Sequence, residues 1–591
     1  MTLHSRKKSH YSVILVCLLF FPGFGQTTVT IDVKNANSVV APELFGVLME
    51  RLGRQWTGLS NSGIFVGTNS TIPNTDGMRN DVIEGFKECG VGAIEWPGGC
   101  AANGYYWHNN KNPSNDVGVD RFIQFCKLTG AEPIISLKPG VSDVSSNMAF
   151  VQYVIDSLHY PLKWAKIGSD IWGGCGGNYT DGYLANTFPQ NVTKLNKLRN
   201  SETVRDLKVI AAAGAMEGQY GWISGYYDSI GSQMDAIEYS DYNFYQLDST
   251  SHIPTMANYW TIMNAVFVGD LHKHLFDSII PSMKAADPSS RVKIAFDQWG
   301  SWFKGDDSNE WMQEVTMMDA ISAAGHLHQF IQNADIVGLA CLSQGVNVLQ
   351  SIMNINQSGI MVKTPVFYVF KLLKPHHSKG AKYCPITESN FAKIQNNVPA
   401  VSVVASLDND NILNVSCVNT DFSAIRDVRI RLAGLNSDYR LKSADVIAGQ
   451  QYSSKNNFGR SEEVNIQALN PMCFDYSDGI LHVRLPAESI VMVRLDEGCV
   501  CGSQTTKSTI EKRFSIKAGS DGKIHISSSE KMQTPVVINI CTANGKSLIY
   551  NAARAIGTCK FSIGKNLSKG AYLVKISGRN INFKQLVIIA E

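Results

Sequence analysis

The chain has 591 residues, 44% of them hydrophobic and 18% charged, with a formal net charge of +2. That length exceeds one compact domain and implies three or four, and the balance excludes collagen-like or disordered character. The charge is spread along the chain with no basic stripe interleaved by aromatics, which argues against nucleic acid as a partner.

Residues 1–25 read as a cleaved secretory signal. Arg6, Lys7 and Lys8 supply the positive region, and Val13 to Phe21 is an apolar run too short to span a bilayer comfortably. Gly23 and Gly25 place small residues at the cleavage spacing. The protein is therefore expected to be secreted or held at the cell surface. Of 13 cysteines, Cys17 lies in this signal and the others scatter from Cys89 to Cys559. Without a dense framework they are expected mostly as buried small hydrophobes.

Residues 26–375 interleave strand-like and helix-like stretches. Thr28–Val33 alternates like a strand and, within 28–40, is expected to join the β-sandwich that follows the barrel. Eight strand candidates follow: Leu44–Met49, Ala93–Trp96, Pro133–Leu137, Trp164–Gly168, Lys208–Ala212, Ala236–Tyr239, Lys293–Phe296 and Ile336–Ala340. Amphipathic stretches of helix length lie between most of them, the clearest being Asp81–Cys89, Arg121–Leu128, Met148–Leu158 and Trp311–Phe330. Eight such repeats predict an α/β fold, a (β/α)8 TIM barrel with its chemistry at the C-terminal strand ends. Residues 376–497 change to period-2 segments with turn residues, which predicts an all-β sandwich. Residues 498–511 read as a linker. Residues 512–591 carry six short strand candidates punctuated by Asn544-Gly545 and Gly578, and predict a small immunoglobulin-like β-domain.

Carboxylates at barrel strand ends suggest glycoside hydrolysis, in which one acid protonates the leaving oxygen and a second carboxylate attacks or activates water. Strand four ends in Ser169-Asp170, followed by Trp172-Gly173-Gly174-Cys175-Gly176-Gly177-Asn178. Strand seven ends in Asp297-Gln298-Trp299-Gly300. The glycine run lacks the Lys-Ser/Thr of a phosphate-binding loop. With Phe45 to Arg54, Asp76 to Val82, Glu95-Trp96-Pro97-Gly98-Gly99-Cys100 and Gln344 to Gln350, these stretches resemble the α-L-arabinofuranosidases of glycoside hydrolase family 51. The resemblance runs from about Thr28 to Leu495.

The resemblance implies α-L-arabinofuranosyl groups on polysaccharides or oligosaccharides as the substrate class, no metal or organic cofactor, and a homo-oligomer. It also exposes departures. Asp170 stands where the family has its Glu acid/base, and Gln298 stands where it has its Glu nucleophile. Glu95 replaces an Arg, Arg51 replaces a His, and Ser240-Asp241 replaces a His-Tyr pair. Glu50, Gln344 and Asn347 match. An amide carries no charge and forms no ordinary glycosyl ester, so retaining hydrolysis is not expected. Asp170 is one methylene short but still protonatable. Asp297 is set aside as the nucleophile because adjacent strand side chains point to opposite faces.

Two readings stay open: a hydrolase with an altered site using Asp170 as acid, and a non-catalytic sugar-binding protein. Glu50, Glu95, Ser169, Trp299 and Gln344 are the candidate sugar contacts around Asp170 and Gln298. Asp170 could instead cap a loop, Gln298 could be structural, and Glu95 could sit in a salt bridge to Arg51. Trp96, Trp107, Trp172, Trp299 and Trp302 could stack on sugar or pack the rim. His326 and His328 face different sides of a helix and predict no metal site. His376-His377 reads as a solvated junction. The C-terminal unit, through Asn544-Gly545-Lys546, Leu567 to Lys575 and Lys584, resembles the sorting domains of type IX secretion cargo, which implies secretion machinery as a partner; a carbohydrate-binding or plain immunoglobulin-like module is the alternative.

Overall fold

A computed structural model describes residues 27–58, 60–111, 113, 116–171, 182–199, 206–213, 222–246, 255–269, 272–303, 313–435 and 439–497. Beyond these it describes seven strands between 514 and 589. The expected signal, the linker, Trp172 and the glycine run 173–177 lie outside the described residues.

Eight parallel strands close into a barrel: β1 (Gly46–Leu48), β2 (Ala93–Trp96), β3 (Glu132–Leu137), β4 (Trp164–Ile167), β5 (Lys208–Ala211), β6 (Ala236–Gln246), β7 (Lys293–Phe303) and β8 (Val337–Ser343). Strand β8 returns to β1, with Cys341 beside Gly46. These strands are apolar on both faces because one face meets the barrel interior and the other the surrounding helices. The lower interior is filled by Leu48, Ala93, Ile134, Trp164, Ile210, Ala236, Ala295, Leu339 and Cys341. Two residues further along each strand, alternation brings Glu95, Ser136, Lys166, Glu238 and Asp297 to the same interior face. The barrel therefore changes from apolar to ionic within one layer of side chains.

The barrel was legible, but its boundaries moved. Strand β1 starts two residues later than expected because Pro42–Phe45 forms a 3-10 turn. Strands β6 and β7 run on to Gln246 and Phe303, well past the apolar cores that announced them. The helix expected from Trp311 begins at Met317. Thr316 and Asp319 form a reciprocal capping box there, which satisfies backbone N–H groups that the helix itself cannot pair.

Two sheets form the sandwich. One contains, in order, Ile386–Ser389, Thr27–Asp32, Arg426–Ala433, Ile480–Leu485 and Phe474–Ser477. The N-terminal strand is thus internal to a sheet built mostly from residues more than 350 positions away, with Val29 facing Ile430 in parallel register. The other sheet is centred on Val401–Leu407, Leu413–Asn419 and Ser489–Glu497. Beyond residue 513, a three-stranded and a four-stranded antiparallel sheet are formed.

His376 corrects the expectation of a solvated junction. It is fully buried, with its ring nitrogens 2.9 Å from Ser406 Oγ and 2.8 Å from Ser416 Oγ. His328 of the long helix also reaches Ser416 Oγ at 2.8 Å, so the barrel and the sandwich share a buried polar seam. Burial holds both imidazoles below the ordinary histidine pKa. Cys89, Cys126, Cys341, Cys384 and Cys417 are buried free thiols, whereas Cys100 is disulfide-bonded.

Candidate active site

The ionic layer is organised around Lys166 on β4. Its ammonium lies 2.5 Å from Glu95 Oε1 on β2 and 3.1 Å from Glu238 Oε1 on β6, and it is paired with Asp297 on β7. It also donates to Ser169 Oγ at 3.0 Å. All of these groups are sealed from solvent. One cation facing three carboxylates leaves an excess of negative charge in a dry environment, which favours the protonated form of Glu95 and Glu238. Burial first, and Asp297 second, hold Glu238 well above the carboxylate range. Burial pushes Glu95 up to about 7 despite Lys166, which itself is held well above its usual value by Asp297, Glu238 and Glu95. Further bonds fix the layer. Ser136 Oγ donates to Glu95 at 2.8 Å, Ser240 Oγ to Asp297 at 2.9 Å, and the Ala213 amide to Glu238 at 2.9 Å.

Above this layer, Gln298 and Asp170 meet. The pairing of β7 with both neighbours shifts register after Phe296, which marks a β-bulge. Asp297 follows the interior parity of Ala295, and the bulge then turns Gln298 to the same side. The strict alternation that set Asp297 aside does not hold here. Gln298 Nε2 donates to Asp170 Oδ2 at 3.0 Å, and its Oε1 accepts from the Tyr242 hydroxyl at 3.1 Å. With Asp170 ionised its oxygens only accept, which places the amide nitrogen towards Asp170 and its oxygen towards the Tyr242 hydroxyl, itself also 3.1 Å from Ser343 Oγ. Asp170 sits in left-handed backbone, φ +47°, where Asp is tolerated better than most residues. Its carboxyl is raised mainly by burial, then by Asp297, while the Gln298 amide opposes the shift.

Glu50, at the end of β1, completes the mouth. Its Oε1 accepts the Ala101 amide at 3.2 Å, and Gln344 Nε2 approaches its Oε2 at 3.4 Å. Burial pushes Glu50 up to about 7, and Asp170 adds to the shift. Gly99 makes room for it: φ is +49°, and a Cβ there would stand 2.6 Å from the Glu50 carboxyl carbon.

Several expected contacts take other places. Glu95 is fully buried and bonded to Lys166 and Ser136 beneath the mouth, and Arg51 pairs instead with Asp116. Ser169 is fully buried against Lys166. Trp299 is fully buried and stacks on His326 at 4.9 Å, beside Phe330 and Phe370, because the bulge that turns Gln298 inward sends it outward. Trp96 stacks on Phe122 and Trp107 on Phe150, both as packing. Gln344 is used on Glu50 and Gln55, so it positions Glu50. Trp302 is partly exposed, 5.1 Å from the Tyr242 ring. Asn347 ties Arg54 O and Ser62 O to the loop after β8. Lys166, Glu238 and Tyr242 were missed. For Lys166 and Glu238 the signal was a charged residue inside an apolar strand, as in Trp164-Ala165-Lys166-Ile167 and Ala236-Ile237-Glu238-Tyr239, whereas nothing in the sequence singled out Tyr242. Among the described residues no group of His, Cys, Asp and Glu suits a metal ion, and no helix is long and apolar enough to cross a membrane.

The family model for the α-L-arabinofuranosidase C-terminal domain matches residues 297–489, from the β7 bulge through the sandwich. An intracellular exo-α-L-arabinofuranosidase of Bacteroides ovatus is 29% identical over 516 residues, covering 79% of this chain and 95% of that protein. A probable α-L-arabinofuranosidase C of Aspergillus fumigatus is 24% identical, covering 74% and 92%. The crystal structure of the family 51 arabinofuranosidase from Xanthomonas axonopodis pv. citri superposes with a TM-score of 0.71 at 24% identity, covering 80% of this chain and all of that one. That of the Thermotoga maritima α-L-arabinofuranosidase in complex with arabinose gives 0.65 at 21% identity, covering 79% and 99%.

Proposed function

We propose that this chain, which is related to the α-L-arabinofuranosidases of glycoside hydrolase family 51, binds α-L-arabinofuranosyl groups of a glycan at its barrel mouth without retaining hydrolysis. The relationship supplies the substrate class. One observation carries the rest: the Gln298 amide donates to Asp170 and accepts from Tyr242, where a retaining enzyme needs two carboxyl groups. An amide in this place neither attacks an anomeric carbon to give a glycosyl ester nor balances an oxocarbenium ion. Asp170, Gln298 and Glu50 present acceptors and donors suited to sugar hydroxyls; Lys166 holds Ser169 and Asp297, the chain neighbours of the first two, and Gln344 holds Glu50.

A second reading, an altered hydrolase with Asp170 as its acid, draws support from the burial that raises the Asp170 carboxyl above its ordinary value, the direction a general acid needs. Calorimetric titration with arabino-oligosaccharides, run beside hydrolysis of an aryl α-L-arabinofuranoside, separates the two. The binding reading expects measurable affinity that Asp170→Ala weakens at least tenfold, with no turnover. Turnover lost in Asp170→Asn would establish the hydrolase instead.

We propose further that the protein is exported. The basic-apolar segment at residues 6–21 and the Cys100 disulfide favour an oxidising compartment. The β-unit beyond residue 513 serves as the sorting module in this reading. Secretion of a chain ending at Glu497, equal to that of the full chain, would refute that role.

A further inference from the structure

A second cavity lies away from the barrel mouth, on the seam between barrel and sandwich. It is a cleft of about 450 Å³, within the range of roughly 300–1,000 Å³ typical of small-ligand sites. One wall comes from the barrel: Phe267 at a helix end, His272 and Phe276 on the following helical turn, and Gln329 at the C-terminal end of the long helix. Tyr383 and Phe391 bring the sandwich wall.

We propose that this cleft is a second binding site for a neutral saccharide unit. Three observations support it. First, none of its twelve lining residues is Asp, Glu, Lys or Arg, and burial lowers the pKa of His272 further below neutrality. A charged ligand would lose its hydration here with no opposite charge to meet it. Second, four aromatic rings from both walls, with His272 and Phe276 centred 4.9 Å apart, offer flat apolar faces of the kind that sugar C–H faces stack on. Third, the cleft is not purely apolar. Gln332, Asn333 and Ser402 line it. The Gln329 side chain is nine-tenths buried at its wall, and its carbonyl oxygen has no hydrogen-bond partner among the described residues. A ligand hydroxyl donating to this desolvated acceptor would satisfy it while Gln329 Nε2 stays bonded to Val266 O. A hydrocarbon ligand would leave these amides unmatched, and an ionic one would leave its charge unmatched. A ring with one apolar face and hydroxyl edges matches both.

The proposal relies on the arabinofuranosyl reading only for the choice of probe, arabinotriose. Crystals of the full chain soaked in arabinotriose, with calorimetry on the wild type, Phe391→Ala and Asp170→Ala, test it. The expected result is sugar density against Phe276 and Phe391 and a stoichiometry near two. Phe391→Ala should weaken one site about tenfold and leave the other, the scale of one lost ring contact. Asp170→Ala should weaken only the mouth. Phe276→Ala, on the opposite wall, repeats the cleft measurement should Phe391→Ala unfold. A cleft empty in the crystal, with titrations of both aromatic variants matching the wild type, would overturn the proposal. So would equal cleft affinity for a trigalacturonate, because the uncharged lining would then select nothing. Binding in the cleft with none at the mouth would sink the barrel reading and leave this one standing.

Discussion

At position 298 an amide stands 3.0 Å from the Asp170 carboxyl, and this pair defines what the mouth can do. Replacing Gln298 with Glu would set two carboxyl groups at hydrogen-bond distance, and one of them would have to keep a proton. Ligand affinity in Gln298→Glu should therefore acquire a pH dependence near neutrality that the wild type lacks at that residue, read by calorimetry between pH 5 and 8. Identical titration curves would mean that residue 298 does not face the ligand. Lys166 gives a sharper prediction. Lys166→Met leaves three buried carboxyls without their cation, a loss on the scale of about 3–5 kcal/mol when they are ionised. Urea unfolding should show a larger loss at pH 8 than at pH 5, where protonation relieves the repulsion. Asp170, Gln298 and Glu50 were legible because motif order placed them at strand ends. Lys166 and Glu238 were not, because what makes them interior is barrel parity, which emerges only when all eight strands are aligned.

Among the elements, β7 carries the largest departure from simple rules. A single bulge turns Asp297 and Gln298 to one side and sends Trp299 outward, so Trp299 is core and no sugar platform. Period-2 reasoning cannot see a bulge, since the inserted residue shifts parity without changing composition. Next to it, Asp319 works twice: it caps the long helix with Thr316 and accepts from Ser301 Oγ of β7 at 2.7 Å. Thr316→Ala should lower stability by about 1 kcal/mol, the usual value of an N-cap. Asp319→Ala should cost more, because it also frees a buried Ser301. Equal losses in denaturant titrations would show that the bond to β7 contributes nothing. The Thr-x-x-Asp signal was present at 316–319, but the apolar pattern drew the expected helix start further back.

For the whole molecule, stability should depend on pH through buried acids. Burial pushes Glu50, Glu95 and Glu132 up to about 7 and Glu488 up to about 8, against an ordinary value of 4.5. Between those values the folded chain holds more protons than the unfolded one. The stability they lend is complete below about pH 4.5 and is lost as pH rises towards 8. Tm should therefore fall from pH 5 to pH 8.5. Both carboxyl oxygens of Glu488 lack partners among the described residues, so Glu488→Gln should raise Tm at pH 8 and change little at pH 5. A Tm that climbs over this range would contradict these shifts. The barrel and sandwich were readable from periodicity. The insertion of Thr27–Asp32 between Ile386–Ser389 and Arg426–Ala433 is a long-range pairing; the sequence pointed to the sandwich as its place but could not name those partner strands.

In the function proposed above, the barrel mouth holds an arabinofuranosyl group and lacks the residue that would react with it. The most direct test is the rate at which the purified protein hydrolyses an aryl α-L-arabinofuranoside, at substrate levels that calorimetry shows to saturate the mouth. A saturated site with no release of the aryl group above the uncatalysed rate is the expected result. Steady turnover that survives Gln298→Ala and disappears in Asp170→Asn would contradict it and would make the chain an enzyme whose second catalytic group lies elsewhere.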